Sequence, residues 1–189
     1  MEKEKLRQIL YDQQELFNQI NGLVEREISS DDYMKGNEIV VITGIRRCGK
    51  SSLLKIISKK IKENFVYINF DDIKFTDFNI QNFEDIEEIV VEMLGIKANV
   101  TYLLDEIQNV LSWERWVNNL YAKNVKVFVT GSNSSLLSSE ISTFLTGRHK
   151  LIKLYPFSFR EFLLFKNIKS DYKTTDERRA VSHAFNEYF

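Results

Sequence analysis

One stretch constrains this chain more than any other. Gly44-Ile-Arg-Arg-Cys-Gly-Lys-Ser51 fits the pattern Gly-x4-Gly-Lys-[Ser/Thr] and directly follows the β-branched run Ile39-Val-Val-Ile-Thr43. Such a run suits a strand buried on both faces. The apolar residues Leu53, Leu54, Ile56, Ile57 and Ile61 then recur at helical spacing over Lys50–Lys62. Strand, glycine-bounded loop and helix in that order make a cradle for polyphosphate. Backbone N–H groups reach phosphate oxygens only where the chain curls tightly, which is the use of Gly44 and Gly49. The helix beginning near Lys50 aims its positive dipole end at the same point. Lys50 adds a full charge near the terminal phosphates, and Ser51 offers a hydroxyl to Mg²⁺. The four specified positions would coincide by accident in roughly one chain in a hundred of this length, and the strand and helix around them lower those odds. The candidate nucleotide contacts are Gly44, Ile45, Arg46, Arg47, Cys48, Gly49, Lys50, Ser51 and Ser52.

A second apolar strand, Val100-Thr-Tyr-Leu-Leu104, delivers Asp105 and Glu106 at its end. In open α/β sheets ligands bind at the carboxyl ends of the strands. Asp105 is placed to hold Mg²⁺, and Glu106 to orient or deprotonate an attacking water. Thr130-Gly-Ser-Asn133 closes a further strand, so that Ser132 or Asn133 is a candidate γ-phosphate sensor; an ordinary turn is the alternative reading. Arg148 is a candidate for stabilising charge on a transferring phosphoryl group, in its own site or a neighbour's, with a surface ion pair as the alternative. Cys48 sits where a helix dipole lowers thiol pKa, but it reads as a small tolerated side chain without a redox role. His149 and His183 have no partner at metal spacing and read as structural.

The rest of the chain alternates strands with helices, the pattern of a mostly parallel sheet covered on both faces. Residues 1–28 read as an amphipathic helix weakened at Gly22, and Asp31–Asn37 as a polar connection. Phe65–Phe70, Val125–Thr130 and Lys150–Leu154 read as strands, and Glu84–Leu94 as a helix stopped by Gly95. Ile73–Phe83 shows no clear period. Ser112 is placed to cap a helix with Trp113, Trp116, Val117 and Leu120 on one face. Ser135–Phe144 reads as short helical turns. Beyond Pro156, Ser158 and Glu161 form a capping box with Phe157 and Phe162 as its hydrophobic staple, and Thr174 with Glu177 repeats the box. The expected organisation is an N-terminal helical arm (1–37), a nucleotide-binding core (38–155) and the start of a helical region (156–189). The last helix stays apolar on one face to Phe189 without a stop signal, so the chain is expected to continue in a larger protein.

VITGIRRCGKSSLL (40–54), YINFDD (67–72), YLLDEIQNVLSWERWVNNL (102–120), VTGSNSSLLSSEISTFLTGR (129–148) and LYPFSFREFL (154–163) together resemble the AAA-type P-loop ATPases. The resemblance is to the archaeal and bacterial "predicted ATPase" group close to the archaeal ATPase and STAND lineages. It implies an α/β three-layer sandwich with a parallel five-stranded sheet of order 5-1-4-3-2. It further implies Lys50 and Ser51 in a Walker A motif, Asp105 and Glu106 in a Walker B motif, a sensor within Thr130–Asn133, and Arg148 as an arginine finger. ATP as the nucleotide follows mainly from this resemblance. So do a helical region and a further domain beyond the core, where lid function and binding of a protein partner would reside.

Composition narrows the remaining choices. With 26 basic and 27 acidic residues the net charge is −1, which supplies no general attraction to a nucleic-acid backbone. The single cysteine excludes an intramolecular disulfide and fits a reducing cytoplasm. No apolar run approaches the roughly 20 residues that span a bilayer, and the N-terminus has no secretory pattern. A cytoplasmic Mg-dependent ATPase is the leading expectation, homo-oligomeric if Arg148 acts in trans. A slow ATP-dependent switch, as in STAND-like relatives, needs the same site. A nucleic-acid-linked ATPase ranks behind both, and no Asn-Lys-x-Asp run favours guanine.

Overall fold

Strand β1 (Ile39–Gly44) is buried at every position, so neither of its faces can meet water and it must lie inside a sheet covered on both sides. β2 (Asn64–Asn69), β3 (Val100–Asp105), β4 (Lys126–Ser132) and β5 (His149–Leu154) complete that sheet in the order β2-β3-β4-β1-β5. Every neighbouring pair is parallel. This is the implied order 5-1-4-3-2 read from the other edge. The computed structural model describes residues 1–29, 31–95, 99–132, 145 and 147–188. Asn133 and the helical turns expected over Ser135–Phe144 lie outside these residues.

Helices α1 (Lys3–Gln19), α2 (Asp31–Met34), α3 (Lys50–Ser58), α4 (Asn82–Leu94), α5 (Trp113–Ala122), α6 (Phe159–Phe165) and α7 (Thr175–Tyr188) are described around the sheet. Side chains alternate across a strand, and the core divides accordingly. Ile39 and Val41 of β1 face Leu6 and Leu10 of α1, Ile86 and Ile89 of α4, and Trp116 and Leu120 of α5. Val40 and Ile42 face Leu53, Leu54 and Ile57 of α3, with Phe17 closing the same layer. α1 therefore reaches both layers by crossing the β2 edge. There Gln13 and Gln14 accept hydrogen bonds from the Asn69 and Tyr67 amides at 2.9 Å each. Gln13 also donates to the Asn69 carbonyl at 3.1 Å. An edge strand with free amides invites pairing with another chain, and these two glutamines occupy that edge.

Several boundaries differ from the sequence reading. The first helix ends at Gln19 rather than near residue 28, and Gly22 follows at φ +70°. Four residues of the expected polar connection form α2. α3 stops at Ser58, with Lys60 and Ile61 closing a turn onto Ile57 and Ser58. Ile73–Phe83 holds a 3-10 turn capped by Asp72, followed by the start of α4. Its missing period is explained by an aromatic cluster, in which Phe70, Phe75, Phe78 and Phe83 meet edge to face or tilted. Ser112 stands at the expected cap position with φ +62° and makes no side-chain capping bond. The Ser158–Glu161 box forms with both bonds present, and the Phe157 ring meets Phe165, with centroids 5.9 Å apart.

Candidate active site

β1 ends at Gly44, where close packing leaves no room for a side chain. A Cβ at Gly44 would stand 2.4 Å from the Leu154 carbonyl oxygen and 2.5 Å from Cys48 Sγ. The chain then turns back on itself. Arg47 and Gly49 take φ of +67° and +98°, and the Cys48 N–H reaches the Ile45 carbonyl at 3.3 Å. α3 begins at Lys50, and its first regular bond runs from Leu53 N–H to the Gly49 carbonyl at 2.9 Å. First-turn N–H groups of a helix have no acceptor within it and are available to an anion. Ile45, Arg46 and Arg47 are exposed on the loop, Ser51 and Ser52 are exposed on the first turn, and Cys48 is buried beneath. Burial pushes the Cys48 thiol above its ordinary pKa, outweighing the nearby charges of Lys50 and Arg26. That agrees with a packing role.

The ends of β1 and β3 converge on Lys50. Its side chain is only 6% exposed, and its ammonium lies 3.3 Å from Glu106 Oε1. Glu106 sits at φ +50° immediately after β3, and its second oxygen accepts from Gln108 Nε2 at 2.6 Å. Asp105 is 2% exposed. Its carboxylate accepts from the Tyr67 hydroxyl at 2.9 Å and from the Thr130 hydroxyl. Thr130 Oγ1 in turn accepts the Glu106 N–H at 3.0 Å. Tyr67 stacks on Phe17 with centroids 3.9 Å apart. Burial first, and then the Asp105 carboxylate, raises its phenol well above the ordinary value, so it remains a donor. Two carboxylates, one ammonium and a hydroxyl relay thus share one end of the sheet.

The donor set at this end fits a triphosphate with a hard cation. Gly44 lets the loop fold back tightly against Cys48 and Leu154, and the Lys50 ammonium is directed at anionic oxygen. Among the described residues no group of three or more His, Cys, Asp or Glu could hold a metal ion. Mg²⁺ commonly binds through one or two protein oxygens together with phosphate and water; Ser51 and Asp105 are the expected oxygens, and both oxygens of Asp105 accept hydrogen bonds from Tyr67 and Thr130.

Not every expected residue joins this cluster. Arg148 lies at the opposite end of the sheet, since its carbonyl accepts the N–H of Ile39, the first residue of β1, at 2.9 Å. Its exposed guanidinium donates to Asn118 at 3.2 Å and lies over the Tyr121 ring. Ser132 pairs with Gly44 in the sheet. Sequence reasoning missed Tyr67, Gln108 and Arg26. Gln108 stands two residues past Glu106, and this was its only signal. Tyr67 and Arg26 carried none, because their partners are remote in the chain.

The family described as AAA domain matches residues 36–163. An uncharacterized protein of Methanocaldococcus jannaschii is 38% identical over 155 residues, covering 80% of this chain and 34% of its own. An uncharacterized protein of Haemophilus influenzae is 37% identical over 158 residues, covering 79% and 38%. A second uncharacterized Methanocaldococcus jannaschii protein is 33% identical over 150 residues, covering 74% and 31%. The chain spans roughly a third of the length of these curated relatives.

Proposed function

The chain belongs to the AAA domain family, and from that premise we propose that it binds ATP with Mg²⁺ at Gly44–Ser52 and hydrolyses the terminal phosphate. The observation that carries this reading is the buried Lys50 ammonium, held 3.3 Å from Glu106 at the mouth of the glycine-bounded loop. The loop amides and Lys50 bind the phosphates. Ser51 and Asp105 would hold the cation, which when bound would neutralise charge on the phosphates. Glu106 is the general base for water, and Ser132 or Asn133 senses the γ-phosphate. Arg148 is remote from its own loop, so in this reading it would serve only a neighbouring subunit of a homo-oligomer. In this reading residues 38–155 form the catalytic core and 156–189 lead into a helical region that engages a protein partner.

A fluorescent ATP analogue titrated with Mg²⁺ tests the site. Lys50→Ala is expected to abolish binding, and Glu106→Gln to keep binding while phosphate release falls at least about 100-fold, the scale of a lost general base. Equal affinity in Lys50→Ala would defeat the assignment.

A second reading, a slow ATP-dependent switch, has its own support. Both oxygens of Glu106 are engaged, one by Lys50 and one by Gln108, which describes a base held in reserve. Turnover staying near background in the intact longer protein, whether or not it oligomerises, would favour the switch over the steady ATPase.

A further inference from the structure

Arg26 lies on the irregular stretch between α1 and α2, yet its side chain is 5% exposed. Each of its nitrogens has an acceptor. Nη1 donates to the Cys48 carbonyl at 3.0 Å, Nη2 to the Tyr155 carbonyl at 2.7 Å, and Nε to Glu161 Oε1 at 2.9 Å. The guanidinium also covers the Phe157 ring at 4.8 Å. Cys48 is inside the glycine-bounded loop, whereas Tyr155 and Phe157 precede α6 and Glu161 lies in its first turn.

The contact with Cys48 has a geometric consequence. A trans peptide is planar, with its C=O and N–H pointing in opposite directions. Drawing the Cys48 carbonyl toward Arg26 therefore turns the Gly49 N–H away from Arg26. Gly49 adopts φ +98°, and a Cβ there would lie 3.3 Å from Nη1. One guanidinium thus sets the orientation of an amide at the bend of the loop.

Glu161 passes the constraint outward. Oε1 also accepts the Glu27 N–H and Oε2 the Ser158 N–H, each at 2.8 Å. Burial alone would raise this carboxyl, but Arg26 and the two amides outweigh it and hold it below the ordinary range. The Tyr188 hydroxyl at the end of α7 donates to the Phe157 carbonyl at 2.6 Å, and Phe159 and Phe162 both pack on the Tyr188 ring. A dry ion pair cannot be separated cheaply, because each charge would be left without its partner. The Cys48 carbonyl, Arg26, Glu161 and the α6–α7 pair must move together.

We infer that Arg26 is a positioning residue for the phosphate loop and that Glu161 links the loop to the seating of α6 and α7, so that nucleotide occupancy is transmitted to these helices. The inference rests on the loop's being a polyphosphate site.

Hydrogen exchange with and without Mg²⁺ and a non-hydrolysable ATP analogue tests it. In the unaltered protein the analogue is expected to slow amide exchange both in residues 44–53 and in α6. In Arg26→Met combined with Glu161→Gln, residues 44–53 still respond, the analogue binds about tenfold more weakly, and the response in α6 disappears. Arg26→Lys guards against a simple folding defect. It keeps the charge and a near-normal denaturation midpoint, but one ammonium cannot fix three acceptors, so the α6 response is lost here as well. An α6 that ignores the analogue in the unaltered protein, or responds equally in the variants, overturns the link while leaving the binding site intact. No slowing in 44–53 of the unaltered protein would remove the nucleotide reading and the inference with it.

Discussion

Thr130 serves both carboxylates of the site at once. Its hydroxyl hydrogen goes to Asp105, and its oxygen takes the Glu106 N–H at 3.0 Å. Thr130→Val keeps the shape and removes both bonds, leaving the half-buried Glu106 amide without this acceptor. The expected loss is about 1–3 kcal/mol of stability, measured by urea denaturation, together with weaker Mg-dependent nucleotide binding. An unchanged midpoint would show that Thr130 orders nothing. At this scale Lys50, Asp105 and Glu106 are residues that sequence singled out and that the structure brings to one end of the sheet, because their spacing and their strand and helix context are local. Thr130 is not among them, because its role comes from a residue 25 positions away, and Tyr67 reaches the same Asp105 across 38. Cys48 shows the converse. A helix dipole at the loop would activate a thiol, but Cys48 reads as a packing residue, and burial against Gly44 agrees with that reading.

Among the elements, α6 has the most legible start. The Ser158 hydroxyl accepts the Glu161 N–H at 3.2 Å, and the Glu161 carboxylate accepts the Ser158 N–H at 2.8 Å. Ser158→Ala is expected to cost about 1 kcal/mol, seen as a lower denaturation midpoint with α6 amides exchanging faster than those of β1. Equal exchange in α6 before and after the change would mean that the cap adds nothing beyond Arg26 and Glu27. α1 teaches the opposite lesson. Apolar residues continue at helical spacing to Ile28, but the helix ends at Gln19. Beyond it the chain takes the non-helical course that carries Arg26 and Glu27 to Glu161. Periodicity reports which residues want burial, and tertiary contacts choose the backbone that buries them.

Across the whole molecule, the end of the sheet remote from the site carries a half-buried charge. Lys126 donates to the carbonyls of Gly36 and Glu38 at 3.1 and 3.0 Å, beside the Glu38–Lys150 ion pair. Burial lowers its pKa from 10.5 to about 8, the Glu38 charge opposing and the Lys150 charge assisting. Between about 8 and 10.5 the unfolded chain therefore holds a proton that the folded chain has released. Stability rises with pH wherever the unfolded state binds more protons. Denaturation midpoints are expected to climb over that window relative to Lys126→Met, which lacks the group. Parallel pH profiles for the two proteins would refute the prediction. No described helix is long and apolar enough to cross a membrane.

Local pattern by itself determined the five strands, the glycine-bounded loop, the acidic strand end and the cap of α6. Each depends on residues within a few positions of one another, where sterics and hydrogen bonding act directly. Only tertiary structure decided how α1 covers the sheet edge, how Thr130 and Tyr67 hold Asp105, and how Arg26 meets Glu161 across 135 residues. Those contacts have no spacing to read. They exist because two distant polar groups, once buried together, satisfy each other where water cannot.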